Sequence, residues 1–474
     1  MEAAPDSGPG SPTRDAASPP PPPLPSASDK RAMVLQRAGL ADTIDALFDG
    51  SQPAHVVRAF LDECRERAQP ACDADEPLLR ETPGKYVVFP LDPRHYPTWA
   101  FYKQHVANFW TAEEIDFASD QEDWARPGYM TDAERTYVKL QLAFFAASDG
   151  IVCENLIERF CTDVQSTEVR MFYGFQAAME NIHGETYSLM IDTLVAEPAE
   201  RARLLNAIDT MPCIGKKARW ALDWIGGGNA TRSFAERLVA FTFVEGVFFS
   251  SAFCAIYWLR SRGLLEGVVK ANELIARDEG LHCQFAAYLY RDHIVHKLPR
   301  ARVLEILAEA VEHECEFVRA ALPTRLNGIN ADAVLSYVRY VADYTLGLLG
   351  FEPHYGDAMP FDWMHAIAMD GKSNFFEQRV SEYQRPGIMA GATRLVAAAD
   401  ARGELSEGAR ARLRQILKTS SSSAASSASP SPATSRTTSL ASSTAAVGRG
   451  GASGENGEVV ATMAGGDNDD DIDF

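Results

Sequence analysis

The sequence predicts an all-α protein. Strand signals are almost absent, whereas apolar residues recur at helical spacing through a series of long segments. The third observation is one of charge. Within the most apolar of those segments stand Asp149, Glu180, His183, Glu245, Glu279 and His282, where a buried ionisable group needs a partner.

Bulk properties bound what such a bundle can be. The 474 residues are 46% hydrophobic, enough for a large core. Residues 1–30 are rich in Pro, Ser and Ala, and residues 419–466 are almost entirely Ser, Ala, Thr and Gly. Neither end can bury enough apolar surface to offset its ordering entropy. A net charge of −20 counts against a nucleic-acid backbone or an anionic membrane as partner. No apolar run reaches ~18 residues without a charge, and no basic-then-apolar signal opens the chain, so a soluble, cytoplasmic protein is expected. The eight cysteines form no C-x-x-C and sit mostly in apolar helical stretches, as reduced thiols do.

In chain order, helical patterns cover Ala41–Leu47 and Ala54–Ala68, and Tyr86–Pro90 is a short extended piece. Thr111-Ala-Glu-Glu114 and Thr131-Asp-Ala-Glu134 are capping boxes, each predicting a helix start. The second opens a long helix to about Cys161 that carries Asp149. The next, about 166–195, places Glu180, His183 and Tyr187 on one face, because residues three and four apart align on a helix. Shorter helices are expected near 198–209 and 215–225, ended by Gly226–Gly228. From Ser233 to Arg262 the middle of the pattern is apolar all round, a helix buried on every side with Glu245 as its only charge there. Helices over 267–294, 301–322 and 330–349 complete the core, and one more fits near 406–417.

Four acid-x-x-His pairs occur. Asp92/His95 encloses a proline and Asp362/His365 follows a Pro/Gly-rich loop, so both read as coincidences. Glu180/His183 and Glu279/His282 lie in apolar helices. With Asp149 and Glu245 from two more helices they make nearly the ligand set of di-iron and di-manganese carboxylate bundles, Asp standing for one of the single Glu residues. Four buried carboxylates alone would repel and take up protons, whereas two trivalent metals bridged by an oxide would neutralise them. Oxygen and imidazole donors suit iron or manganese. A reduced di-metal centre cleaves O2, and Tyr187, one turn beyond His183, stands where it could lose an electron to the oxidant. A tyrosine on an inner helix face is as a rule simply core. Phe249, Phe253 and Ile275 could shield it, although ordinary packing accounts for them equally well.

Six stretches then carry a resemblance: Phe109–Glu114, Leu142–Gly150, Met179–His183, Phe243–Ser250, Asn272–His282 and Asn374–Gln384. In order over about residues 76–386, they resemble the small, radical-generating subunit of class I ribonucleotide reductase in its eukaryotic form. The resemblance implies a ferritin-like homodimer with an oxo-bridged pair of irons per chain, manganese being the alternative metal. The implied ligands are Asp149, Glu180, His183, Glu245, Glu279 and His282. It makes Tyr187 the stable tyrosyl radical, with Phe249, Phe253 and Ile275 its apolar pocket. Asp278 would link ligand His183 to Trp110, and Tyr383 would relay the radical to a large subunit that reduces ribonucleotides to deoxyribonucleotides. The absence of a nucleotide fingerprint agrees, since Gly371-Lys-Ser373 has Ala366 where a P-loop has its first glycine.

The implied organisation is a disordered N-terminus (1–30), a helical extension (31–75), a ferritin-like catalytic domain (76–386) and an extended, largely disordered tail (387–474). Here 91 residues follow Tyr383, whereas the family has a short tail. The terminal Asp469–Phe474 resembles the family's acidic peptide that docks on the large subunit, and a long spacer lowers its effective concentration. A two-electron di-iron oxidase or hydroxylase on the same bundle is the alternative chemistry, with no use for Trp110 or Tyr383. Iron-storage proteins are shorter and lack a docking tail, and a catalytically silent paralogue has no need of the full ligand set.

Overall fold

The computed structural model describes residues 73–83, 85–225, 232–364, 385 and 387–421. The N-terminal helical patterns, His365, the Gly371-Lys-Ser373 stretch, Tyr383 and Asp469–Phe474 lie outside them. Among the described residues every regular element is helical, with one isolated bridge between Leu326 and Ile329.

α1 (Tyr96–Ala107) carries a proline in its first turn, where the missing N–H costs nothing, and α2 (Ala118–Ala125) follows. The Thr111 capping box does not start a helix. Glu114 Oε1 accepts from the Thr111 N–H at 3.0 Å, but the box closes a single 3₁₀ turn before Ile115 runs extended. The Thr131 box behaves as expected. Glu134 Oε2 accepts from the Thr131 N–H at 2.8 Å and Thr131 Oγ1 from the Glu134 N–H at 3.2 Å, opening α3 (Asp132–Asn155).

A π-turn, Leu156–Phe160, leads from α3 toward α4 (Thr167–Leu194), and α3 packs more extensively on α4 than on any other helix. α5 (Pro198–Leu205) and α6 (Pro212–Ile225) complete this side of the bundle. The continuous helix expected from Ser233 is interrupted. Between α7 (Phe234–Phe243) and α8 (Ser250–Ser261) the backbone widens into a π-helical segment, Val244–Phe248. One inserted residue barely disturbs an all-apolar pattern, so the sequence does not announce it. The segment runs close to its neighbours, for a Cβ on Gly246 would lie 2.8 Å from Thr345 Oγ1 and 3.1 Å from Cys283 Sγ. α9 (Glu266–Asp292), α10 (Arg300–Ala321) and α11 (Ala331–Leu349) close the core. Asp132–Asp163 and Phe234–Ser261 are long and apolar enough to cross a membrane, but the apolar window of the second is wholly buried in the bundle and that of the first just over half so.

The start of the tail departs from expectation in one helix. Residues 387–421 form a helical pair, both members packed on α1. α12 (Ile388–Ala401) stands where extended chain is expected, and α13 (Glu407–Ser421) where the sequence predicts a helix near 406–417. They bury Ala392, Val396, Ala399, Leu413 and Ile416, and Arg412 Nε donates to Asp292 Oδ2 at 2.9 Å. The small residues of α12 give only a thin apolar stripe, which is why composition reads it as tail.

Candidate metal centre

Four helical elements deliver the charged residues to one interior. Asp149 comes from α3, Glu180 and His183 from α4, Glu245 from the π segment, and Glu279 and His282 from α9; all six are buried. Glu180, Glu245, Glu279 and His282 offer ligand atoms within 4.8 Å of one another, and so do Asp149, Glu180 and His183. The two groups share Glu180, which makes them adjoining cradles.

Both imidazoles turn Nδ1 toward the carboxylates. His183 Nδ1 lies 3.0 Å from Glu279 Oε1 and 3.4 Å from Glu180 Oε2. His282 Nδ1 lies 3.1 Å from Glu180 Oε1 and 3.2 Å from Glu279 Oε2. Both Asp149 oxygens and Glu245 Oε2 are buried with no hydrogen-bond partner, and Glu180 Oε2 and Glu279 Oε1, also buried, face His183 Nδ1. An unsatisfied buried polar atom costs roughly 1–3 kcal/mol, more when charged. Several in one place fit cations, and the oxygen and imidazole donors suit iron or manganese. The neighbouring Cys283 adds no thiolate, since burial and then Glu279 push its thiol up to about 12.

In the protein alone these groups share protons. Burial and then Glu180 push the Asp149 carboxyl well above the usual range, and burial and Glu279 do the same to Glu245. Burial opposes a charge on His282, but Glu180 and Glu279 outweigh it and lift the imidazole to about 9. A metal would take the place of those protons.

Behind His183 a chain of contacts leads outward. Trp110 Nε1 donates to Asp278 Oδ2 at 2.8 Å, and the same oxygen lies 3.3 Å from His183 Nε2. The Trp110 ring stacks on His183 with centroids 6.0 Å apart. Burial would raise the Asp278 carboxyl, but Arg277 and the His183 hydrogen bond outweigh it and hold it at about 2.

Tyr187 is buried in α4, and burial and then Asp149 keep its hydroxyl well above its ordinary value, hence protonated. Its ring stacks on Phe145 at 4.5 Å with planes 2° apart. Phe145 in turn meets Phe253 at 4.9 Å and Phe249 at 5.9 Å, while Ile275 is buried on α9. Phe145, which the sequence reading leaves out of the site, is thus the ring that meets Tyr187, Phe249 and Phe253 together.

Three further residues escape the sequence reading. Asn272 Oδ1 accepts from the Tyr187 hydroxyl, and Gln176 Nε2 donates to Glu245 Oε1 at 2.9 Å. His105 Nε2 lies 3.1 Å from His282 Nε2, and burial and then His282 push its imidazole well below the usual range, which keeps it neutral. Gln176 stands one turn before Glu180 and Asn272 two turns before Glu279, a spacing that could have flagged both. His105 lies on another helix, with no such signal. The His95 coincidence is structural, its Nδ1 lying 2.9 Å from Glu168 Oε2.

A four-helix interior with two adjoining carboxylate–imidazole cradles defines a di-metal carboxylate protein on a ferritin-like bundle. A sequence model of the family "Ribonucleotide reductase, small chain" matches residues 87–360. The chain is 54% identical over 319 residues to a ribonucleoside-diphosphate reductase small chain of Trypanosoma brucei brucei, covering 67% of this chain and 92% of that one. It is 52% identical over 319 residues to the Homo sapiens ribonucleoside-diphosphate reductase subunit M2, covering 67% and 80%. The solved Rnr4 homodimer of Saccharomyces cerevisiae ribonucleotide reductase aligns with a TM-score of 0.59 and 33% identity over 68% of this chain and 100% of that one. The chain belongs to the ribonucleotide reductase small-chain family, and it is the small subunit of a ribonucleoside-diphosphate reductase with a di-metal centre.

Proposed function

We propose that Asp149, Glu180, His183, Glu245, Glu279 and His282 hold two irons, and that Tyr187 stores the radical this subunit delivers to the large subunit. Held there and reduced, a di-iron centre would supply the oxidising power, with O2 as the oxidant. Every later step belongs to the chain. Tyr187 loses an electron from its ring and the proton from its hydroxyl. Asn272 Oδ1 orients that hydroxyl but is no base. The electron goes to the oxidised centre, and the proton is assigned to the buried carboxylate cluster of Asp149, Glu180 and Glu279, whose charges act on Tyr187. Phe145, Phe249 and Phe253 surround this region with apolar rings that exclude water.

The observation that carries the reading over a two-electron oxidase is the Trp110–Asp278–His183 chain. A buried indole hydrogen-bonded to the carboxylate behind a ligand offers the radical a route out, which an oxidase acting on its own substrate does not need. Tyr383 is the proposed next relay and Asp469–Phe474 the peptide that docks on the large subunit, in a cytoplasmic homodimer. The test is ribonucleoside-diphosphate reduction with a eukaryotic large subunit, compared with a chain lacking Ile472–Phe474. The truncated chain should keep its tyrosyl signal and bind the large subunit more weakly. Unchanged affinity refutes the docking assignment, and no reduction by the intact pair refutes the reading as a whole.

A further inference from the structure

Lys217, from α6, is wholly buried in the apolar half of the bundle, its ammonium 3.3 Å from the centroid of the Phe144 ring. Its Nζ lies 2.5 Å from Glu314 Oε2 of α10 and donates to the Phe248 carbonyl oxygen at 2.8 Å. Glu314, equally buried, uses its other oxygen to accept from the Ser251 N–H at 3.1 Å. Phe248 is the last residue of the π segment and Ser251 the second of α8. Where a π-helix returns to an α-helix, backbone groups lose their regular partners. One buried ion pair satisfies a carbonyl on one side of that junction and an amide on the other. Between the two tied atoms stands Phe249, against Phe145, and one turn back stands Glu245.

Stability alone explains this pair poorly. Two buried charges lose much of their attraction to desolvation, and replacing such a pair by apolar residues is often neutral or stabilising. What the pair does that apolar residues cannot is hold two backbone atoms. The opposite side of the segment has no play, because Gly246 already runs against Thr345 and Cys283.

We propose that Lys217 and Glu314 are positioning residues that fix the register of the π segment. They thereby aim Glu245 into its cradle with Glu180, Glu279 and His282, and seat Phe249 against Phe145. Neither touches a ligand, and both act through the Phe248 and Ser251 backbone. The proposal rests on Glu245 being a metal ligand.

The test is anaerobic Mn2+ titration of the full-length protein, with thermal melting in parallel, for Lys217→Met, Glu314→Gln, the double variant Lys217→Met/Glu314→Leu, and Glu245→Gln as control. One of the two Mn2+ equivalents should bind about 10–100-fold more weakly in each positioning variant, the range seen when residues supporting a ligand are lost. The double variant removes both buried charges and should recover the wild-type melting temperature without recovering the affinity. If it recovers both, or if a folded single variant binds both equivalents as the wild type does, the pair acts only through its own burial and the proposal fails. Wild-type binding by Glu245→Gln would instead remove the ligand assignment beneath it.

Discussion

The Tyr187 hydroxyl donates to Asn272 Oδ1 at 3.0 Å, bridging α4 to α9, while the Asn272 amide donates to the Val268 carbonyl at 2.9 Å on its own helix. The orientation of the proposed radical residue is therefore set by the backbone of the helix that also carries Glu279 and His282. Asn272→Leu leaves a buried hydroxyl unpaired, at a cost of roughly 1–3 kcal/mol. Thermal unfolding should register that loss, and the tyrosyl signal should decay faster. A variant with wild-type melting and radical lifetime would show the hydrogen bond to be incidental.

Asp278 Oδ2 faces both Trp110 Nε1 and His183 Nε2, and its charge is held by Arg277. Asp278→Asn keeps the shape and removes the charge. Reductase activity with the large subunit should fall about 10–100-fold while metal still binds. Activity equal to wild type removes this chain from the radical route.

Gly246 has no room for a side chain, with Thr345 Oγ1 at 2.8 Å and Cys283 Sγ at 3.1 Å from where a Cβ would lie. Gly246→Ala is expected to destabilise by about 1–3 kcal/mol through overpacking, read as a lowered melting temperature. An unchanged melting temperature would mean that the π segment has slack, against the fixed register argued above.

His293 lies near the tail helices, its Nε2 2.8 Å from the Tyr288 hydroxyl, and burial and then His95 push it down to about 4. The unfolded chain takes up this proton near pH 6.5. Between about 6.5 and 4 the unfolded state therefore holds more protons, and stability falls as pH falls through that window. His293→Gln should flatten the drop in melting temperature between those limits. Parallel curves for the two proteins would assign the acid sensitivity elsewhere.

The helical class is legible in the sequence because period-3.6 patterns persist through long segments. The charged cluster is legible because ionisable residues are conspicuous in apolar helices at i,i+3 spacing. What is not legible depends on contacts between helices. Phe145 looks like any core phenylalanine until its ring is found parallel to Tyr187. Lys217 and Glu314 are two charges far apart in the chain that only folding brings to 2.5 Å. The Thr111 box shows the converse, correct capping chemistry on a turn that never becomes a helix.

The most direct test of the radical assignment is an electron paramagnetic resonance spectrum after anaerobic ferrous loading and exposure to air, with iron content determined on the same sample. A tyrosyl signal with about two irons per chain, lost in a Tyr187→Phe protein that keeps its iron, is the predicted result. A full complement of iron without any tyrosyl signal, or a signal that survives Tyr187→Phe, would contradict it.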